Sequence, residues 1–404
     1  MEKTNLSIRD TVRFEECAEI FWKVLQESSS GIDKYYVGIV YSTAALPKEI
    51  EIRDDVLIQN GGCLRGSNGQ VHLLTVTAPT NLYLFLIPSL SEAIGCLLSF
   101  SFRSRFAASR YLCNIDDKRR ITRMPRDLFL RLNSGVLDSL VFDSSTEGLT
   151  KGVQLFNSLI EIFRSLEKKN FERLIRSFRL YQLSLLDYST DVGLAYSLLV
   201  SSVDNLSCNL YGSEGKKNKD KFVKFIEGYL PEAFWGSFDL RALEEDRRLD
   251  DMTSGGYSLL DVFKRRYEQY GEKVFTELPR EMGNHAVARI KTSFVEKKEL
   301  APQEKQIYEH ILRHSNIYRV DNKLARNELP EVLEHIYSEV RSAFFHGGKS
   351  PPQSATDRYE TAPIKPKTTT ENKVIWQRDI PSFYCFERIA HESITRYLIN
   401  NFSQ

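Results

Sequence analysis

The chain has 404 residues, a length that allows two or three folded domains, and its composition of 42% hydrophobic and 27% charged residues is that of an ordinary folded protein and argues against disorder. The formal net charge is +1, which argues against a histone-like protein that binds bulk nucleic acid, although a local basic patch is enough to bind a few phosphates. The six cysteines form no C-x-x-C pair, and the first residues lack the apolar segment of a secretory signal, so we expect free thiols and a cytoplasmic location.

Residues 1–150 are predicted to form a mixed α+β domain. Apolar residues recur at helical spacing over 8–27, and residues 90–113 also predict a helix. Between them, β-branched and aromatic segments separated by turn residues predict strands at 35–41, 50–58, 71–77 and 82–86. The apolar stretch 82–102 contains a proline and several polar residues, so it predicts core rather than a membrane span.

Residues 151–404 are predicted to form a helical domain. Apolar stripes predict helices at 153–166, 171–186, 191–211, 219–230, 257–270, 302–315, 330–346 and 381–400. Residues 213–221 and the proline-rich residues 349–370 predict loops, and the second loop is an insertion between two helices. The predicted fold class is therefore mainly α, with a C-terminal helical bundle after an N-terminal α+β domain.

The residues with catalytic potential lie at the end of the helix predicted at 330–346. The sequence there is EVRSAFFHGG, in which Arg341 is followed after four residues by His346, and Gly347 is predicted to be the C-cap of the helix. Histidine transfers protons near neutral pH, and a guanidinium matches the oxygens of a phosphate. This pair suits RNA cleavage without a metal, in which a base takes the 2′-hydroxyl proton and an acid protonates the leaving 5′-oxygen.

The spacing of Arg341 and His346 raises a geometric question. On an ideal α-helix, two side chains five residues apart point about 140° away from each other. They converge only if the long arginine swings round, if the last turn unwinds at Gly347, or if a second subunit contributes. Positive charge on His346 is favoured by the C-terminal end of the helix.

Arg-x4-His at the end of a core helix, followed by Gly-Gly, resembles the signature of HEPN domains, and EVRSAFFHGGKSP is similar to their Apea-like branch. Residues 198–206 (LLVSSVDNL) resemble the earlier HEPN helix that places an acidic or polar residue near the site. Residues 380–398 (IPSFYCFERIAHESITRYL) resemble the helix that closes Apea-like domains. The resemblance covers about residues 151–404, and the proline-rich loop departs from a compact HEPN bundle.

The resemblance implies a metal-independent endoribonuclease that needs no cofactor. His346 is the expected acid or base, Arg341 the phosphate clamp and Asp204 the orienting carboxylate. Asn205 is the alternative to Asp204 and, with Lys349, is assigned to substrate binding. The implied partners are an RNA substrate and a second copy of the chain, since a homodimer brings two such helices together in one cleft, and no membrane is involved. The implied context is growth arrest or antiviral defence, with residues 1–150 sensing a trigger, holding a regulatory protein or restraining the nuclease.

Other interpretations of these residues stay open. The domain is alternatively a non-catalytic HEPN module that dimerises and binds RNA or a protein, or a toxin held inactive by a nucleotidyltransferase-like antitoxin. Arg341 and His346 are alternatively a surface arginine and a helix-capping histidine, and Asp204 a buried polar residue without a catalytic role. His310 and His314 have metal-ligand spacing without a third ligand, which favours an exposed pair. Two basic runs, 118–120 and 216–224, are expected to be solvated or to follow RNA phosphates.

Overall fold

The structure is a computed structural model that describes residues 14–26, 35–43, 45–53, 56–66, 69–79, 87–108, 113–114, 146–212, 217–231, 329–348, 364–368, 374–378 and 380–402. Contacts divide the chain into two units. The first contains Met1–Pro231, Leu333–Arg358 and Phe386–Gln404, and the second contains Glu232–Val332 and Tyr359–Cys385. The predictions for residues 82–86, 257–270 and 302–315, for His310 and His314 and for Lys349 lie outside the described residues.

An antiparallel sheet forms the first part of the first unit. Its strands follow the order β2-β3-β4-β1-β5, and β6 also pairs with β1. Side chains that alternate along β1 and β4 lie on one buried face, because successive residues of a strand point to opposite sides. The strands are β1 (Tyr35–Ser42), β2 (Ile50–Arg53), β3 (Val56–Gly66), β4 (Gly69–Pro79), β5 (Phe106–Ala108) and β6 (Cys113–Asn114).

The sheet confirms the strands predicted at 35–41 and 71–77 and corrects two other predictions. The single strand expected at 50–58 is divided into β2 and β3, which pair with each other. The helix expected at 90–113 ends at Phe102, and β5 and β6 follow it. Arg103 has φ of 49°, a left-handed conformation that turns the chain out of the helix, and β5 then gains backbone partners in β1. Pairing with a distant strand therefore overrides the local helical pattern.

Two helices from the N-terminal part pack on the helices that follow residue 145. These are α1 (Phe14–Gln26) and α2 (Ile87–Phe102), which contact α3 (Thr146–Ser165) and α4 (Lys168–Asp187). The buried face of α1 is an apolar stripe that contains Phe21, and this ring lies against Phe171 of α4 with centroids 5.9 Å apart. The first unit thus runs across residue 150, and the separate roles assigned to 1–150 and 151–404 stay predictions.

The remaining helices confirm that the fold is mainly α. They are α5 (Val192–Leu210), α6 (Asn218–Tyr229), α7 (Leu329–His335), a π-helix (Ile336–Ser342), α8 (Ala343–Gly347) and α9 (Phe383–Phe402). Asp191 is the N-cap of α5, and its side chain accepts a hydrogen bond of 3.0 Å from the Leu194 N–H. Helix α6 begins at Asn218, so the last residues of the loop expected at 213–221 are helical instead. In the described part of the chain, no helix is long and apolar enough to span a membrane.

A buried polar cluster connects α9 to α2 and α4. Glu387 of α9 is fully buried, and its carboxylate accepts hydrogen bonds from Tyr181 and from Arg103, whose Nε lies 3.0 Å away. His391, one turn further along α9, packs its ring against Phe100 with centroids 4.6 Å apart and the two ring planes tilted by 32°. Its Nε2 lies 3.1 Å from the Phe100 carbonyl oxygen. Glu387 and His391 therefore hold α9 against α2 and α4.

The second unit contains a β-hairpin whose first strand lies within the loop expected at 349–370. Strands β7 (Ile364–Thr368) and β8 (Val374–Arg378) pair in antiparallel register, with Pro366 opposite Trp376. The prediction of a loop over 349–370 is wrong for residues 364–368. Proline obscured the strand in the sequence, yet it is tolerated in a two-stranded hairpin because each strand has an edge that needs no hydrogen bond.

Candidate functional site

The segment that carries Arg341 and His346 changes its helical type twice. The sequence predicts one α-helix over 330–346, but residues 336–342 form a π-helix between α7 and α8. In a π-helix each N–H bonds to the carbonyl five residues earlier, and such turns occur frequently at functional sites. The Ser197 hydroxyl of α5 donates a hydrogen bond of 3.3 Å to the Val340 carbonyl. The π-helix is therefore held by α5 as well as by its own backbone.

Asp204 of α5 and Arg341 of the π-helix form an ion pair. Nη2 of Arg341 lies 2.9 Å from Oδ2 of Asp204, and the two side chains are 25% and 7% exposed. Asp204 belongs to the buried face of α5, where the π-helix packs. The structure thus brings together the predicted phosphate clamp and the predicted orienting carboxylate, which are far apart in the sequence.

Tyr337 and Cys208 complete the surroundings of Asp204. The Tyr337 hydroxyl lies 3.4 Å and 3.5 Å from the two carboxylate oxygens, and the Arg341 guanidinium lies 4.9 Å from the centre of the Tyr337 ring. Sγ of Cys208 lies 3.5 Å from Oδ1 of Asp204. Sequence reasoning missed both residues, although each is four positions from a predicted site residue on the same helix, which is the spacing of neighbours on one face.

Burial and charge act against each other at Asp204. Burial raises the pKa of its carboxyl, while the charge of Arg341 and the hydrogen bonds from Cys208 and Tyr337 lower it. Burial and the nearby carboxylate raise the pKa of Tyr337 to about 12 and also raise that of the Cys208 thiol. Both neighbours therefore keep their protons at neutral pH and act as hydrogen-bond donors to Asp204. The Asp204 carboxylate thus has Arg341, Tyr337 and Cys208 as donors, and it holds the Arg341 guanidinium in one orientation.

His346 lies at the exposed end of α8. The chain leaves the helix at Gly348, whose φ of 59° and ψ of 19° are left-handed and whose N–H bonds to the Phe344 carbonyl at 2.9 Å. The C-cap is therefore Gly348 and not Gly347 as expected, and the last turn remains helical through Gly347. In the part of the chain that the structure describes, no side-chain hydrogen bond or ion pair joins His346 to another residue. The Arg341 guanidinium contacts Asp204, and convergence of Arg341 and His346 through a second subunit stays a prediction.

The other predicted site residues have different surroundings. Asn205 donates from Nδ2 to the Arg173 carbonyl at 3.2 Å and to the Ser177 hydroxyl at 2.7 Å, so its amide connects α5 to α4. Its predicted role in substrate binding stays a prediction. Among the residues described, no group of three or more His, Cys, Asp or Glu side chains is placed to bind a metal ion.

Comparison with known proteins gives no match. No protein-family model, no curated protein and no solved structure is similar to this chain. The resemblance to HEPN domains therefore rests on the residues of this sequence alone.

Proposed function

We propose that this chain is a metal-independent endoribonuclease of the HEPN type. The observation that carries the proposal is the ion pair between Asp204 and Arg341. These residues belong to the two segments that resemble different parts of the HEPN signature, and the sequence alone does not require them to touch. A partly exposed guanidinium held by a buried carboxylate, five residues before an exposed histidine, is suited to bind a phosphate next to a proton-transfer group.

The proposed reaction uses two proton transfers and one charge-stabilising group. A histidine takes the proton of the 2′-hydroxyl, the freed oxygen attacks the adjacent phosphorus, and the bond to the 5′-oxygen breaks. A second histidine donates a proton to that 5′-oxygen, which leaves a 2′,3′-cyclic phosphate and a 5′-hydroxyl. Arg341 stabilises the negative charge that develops on the phosphate oxygens, and Asp204 orients Arg341. Because each chain supplies one His346, the reaction requires a homodimer with a shared cleft.

The test is cleavage of end-labelled single-stranded and structured RNA in the presence of EDTA. Wild-type protein is expected to leave 2′,3′-cyclic phosphate ends, and Arg341→Ala and His346→Ala are each expected to reduce the rate at least about a hundredfold. His335→Ala is the matched control, because His335 ends α7 on the same continuous helical segment and is expected to leave the rate unchanged. Cleavage by His346→Ala at the wild-type rate contradicts the catalytic role of this histidine.

A non-catalytic HEPN module that dimerises and binds RNA or a protein is the second candidate function. The observation that favours it is Phe345, which is 51% exposed next to His346, since exposed aromatic side chains are enriched at interfaces. Both functions require a dimer, so dimerisation does not separate them. Measurement of growth arrest or phage resistance in cells separates the two functions. His346→Ala abolishes this effect if the chain is a nuclease and leaves it intact if the chain only binds RNA or a protein.

Defence or growth arrest is the proposed cellular context, and the N-terminal residues are proposed to restrain the nuclease or to bind a regulatory protein. A toxin held by a nucleotidyltransferase-like antitoxin is a special case of this proposal. Purification of the chain together with the products of its neighbouring genes tests it. A stoichiometric partner that suppresses RNA cleavage supports the special case, and its absence contradicts it.

A further inference from the structure

The ion pair between Asp204 and Arg341 is a contact through one nitrogen of the guanidinium. Nη2 of Arg341 lies 2.9 Å from Oδ2 of Asp204. Nε of the same guanidinium is buried and has no hydrogen-bond partner among the residues that the structure describes. An arginine that binds a carboxylate through two nitrogens is held in one plane, because two parallel bonds fix its direction. A contact through a single nitrogen leaves the guanidinium free to turn, so its plane needs a second support.

Tyr337 contacts both members of the ion pair. The centre of its ring lies 4.9 Å from Cζ of Arg341, which is within the distance at which a cation is attracted to an aromatic face. Its hydroxyl lies 3.4 Å from Oδ1 of Asp204 and 3.5 Å from Oδ2. The ring therefore opposes rotation of the guanidinium, and the hydroxyl helps to hold the carboxylate that the guanidinium contacts.

Tyr337 is itself held in place by aromatic residues of two other helices. Phe222 of α6 packs against it with ring centroids 5.4 Å apart, and the ring of Phe222 lies 6.1 Å from that of Phe386 on α9. Phe222 and Phe386 are fully buried, and Tyr337 is buried as well. Rings in a close-packed interior have little room to move. The orientation of the Tyr337 ring is therefore set by the packing of α6 and α9 and does not depend on the ion pair alone.

We propose that Tyr337 is a positioning residue that sets the plane of the Arg341 guanidinium and so directs its remaining N–H groups at a phosphate. The inference rests on the proposed function, because the phosphate is that of the RNA substrate. Tyr337 does not touch the substrate and transfers no proton; its ring acts through Arg341 and its hydroxyl through Asp204. A guanidinium whose plane is fixed before the reaction stabilises the developing negative charge without first being reoriented.

The test compares Tyr337→Leu, which removes the ring and the hydroxyl, with Tyr337→Phe, which removes the hydroxyl alone. NMR of protein with isotope-labelled arginine side chains measures how fast the guanidinium of Arg341 rotates about its Nε–Cζ bond, and Arg341→Lys assigns the signals. Tyr337→Leu is expected to speed this rotation about tenfold, because the attraction between cation and ring is lost, and Tyr337→Phe is expected to stay within about threefold of wild type. Unchanged rotation in Tyr337→Leu overturns the inference.

The kinetics of RNA cleavage give a second measurement. Tyr337→Leu is expected to lower kcat about tenfold and to change KM by less than about twofold, because a misaligned guanidinium weakens binding of the transition state more than binding of the substrate. Tyr337→Phe keeps the ring and is expected to recover most of kcat. A loss of kcat in Tyr337→Phe as large as that in Tyr337→Leu overturns the role of the ring.

Two matched controls separate positioning from a general loss of stability. Tyr181→Phe removes a hydroxyl that also donates to a buried carboxylate, on α9, and Phe225→Leu removes a fully buried ring of α6 that packs against Tyr229. Both are expected to lower the melting temperature and to leave the rotation of Arg341 and kcat unchanged. If either control speeds the rotation as much as Tyr337→Leu does, loosening of the fold explains the effect and the inference is overturned.

The rotation of Arg341 is measured without RNA, so its outcome is independent of the proposed nuclease. Absence of cleavage by wild type contradicts the nuclease, whereas unchanged rotation in Tyr337→Leu contradicts the role of Tyr337 alone. Melting temperatures confirm that each variant folds. If Tyr337→Leu does not fold, Tyr337→Met is measured in its place, since its flexible side chain fills irregular space in a core, with the same expected increase and the same overturning result.

Discussion

Asp204 and Arg341 each need the other as a counterion, because both charged side chains are largely buried. Asp204 is 7% exposed and Arg341 25% exposed, and burial alone raises the pKa of the carboxyl. The ion pair offsets the cost of burying each charge. A surface pair of the same kind contributes little, because water and salt screen it. Glu161 and Arg164 on α3 form such a pair at 2.7 Å, with side chains 69% and 36% exposed.

Replacement of Asp204 by asparagine is expected to lower the free energy of unfolding by about 1–3 kcal/mol, because it leaves the guanidinium of Arg341 without its counterion. This loss of stability is smaller than that expected for a fully buried ion pair, because water still solvates the partly exposed Arg341. Urea denaturation measures the loss, and Glu161→Gln is the control, with an expected change below about 0.5 kcal/mol. In the double variant Asp204→Asn/Arg341→Met, part of the loss is recovered. A loss from Asp204→Asn no larger than that from Glu161→Gln contradicts the importance of the pair.

The sequence indicated part of this site and missed the rest for a physical reason. Arg341, His346 and Asp204 were selected because their residue types and their neighbours in the chain suggest chemistry. Tyr337 carries no motif, and its contact with Asp204 depends on how α5 and the π-helix pack. Such packing joins residues that are distant in the chain, so a single sequence gives only their helical spacing and not their partners.

The π-helix is the element that determines where Arg341 points. Its seven residues follow α7 without interruption, and Ser197 of α5 donates a hydrogen bond to the carbonyl of Val340, the residue before Arg341. Long π-helical segments are rare because their backbone geometry is less favourable than that of an α-helix. Contacts from neighbouring helices are therefore expected to help maintain the segment.

Replacement of Ser197 by alanine is expected to lower the free energy of unfolding by about 1 kcal/mol, because the hydroxyl is buried and its hydrogen bond crosses to another helix. Ser201→Ala is the matched control. Ser201 lies one turn further along α5, and its hydroxyl bonds to the Ser197 carbonyl of the same helix, so a change within about 0.5 kcal/mol is expected. Chemical denaturation compares the two variants. Equal losses from both contradict a specific role of Ser197 in holding the π-helix.

Long elements with a regular apolar stripe were predicted well, and elements that depend on a distant partner were not. Helices α4 and α5 match their stripes to within three residues at each end, because burial of one face is encoded locally. Helix α3 ends one residue before its stripe does but begins seven residues earlier. Strand β5 is only three residues long and exists because β1 lies beside it, and the hairpin of β7 and β8 contains a proline. The π-helix differs from an α-helix in its hydrogen bonds rather than in its pattern of apolar residues. These three features therefore leave no clear signal in one sequence.

The stability of the first unit depends on polar residues of α9 that lie far from the candidate site. Glu387 and His391 are both buried, and they contact α2 and α4 through Arg103, Tyr181 and the Phe100 carbonyl. The pKa of His391 lies well below its ordinary value of 6.5, mainly because burial disfavours the charged ring and also because the positive charge of Arg103 is near. In the unfolded chain the ring is solvated and takes up a proton near pH 6.5.

The unfolding of the whole molecule is consequently expected to depend on pH through His391. Above about pH 6.5 the ring is neutral in both states, and its contribution to stability is fully present. As the pH falls below 6.5, the unfolded state binds a proton that the folded state excludes. The free energy of unfolding therefore falls by up to about 1.4 kcal/mol per pH unit until the folded-state pKa is reached.

Urea denaturation of wild type and His391→Gln at a series of pH values from about 8 to 5 measures this contribution. Glutamine retains an N–H donor for the Phe100 carbonyl but does not titrate, so any constant loss of stability leaves its pH slope unaffected. The carboxyl groups titrate alike in both proteins. Among them is Asp204, whose raised pKa increases the free energy of unfolding as the pH falls, opposite in sign to the effect of His391. The difference between the two slopes below pH 6.5 is therefore the signal of His391. Parallel curves would show that the ring takes up its proton in the folded state, and they would contradict the placement of a neutral, buried histidine between α9 and α2.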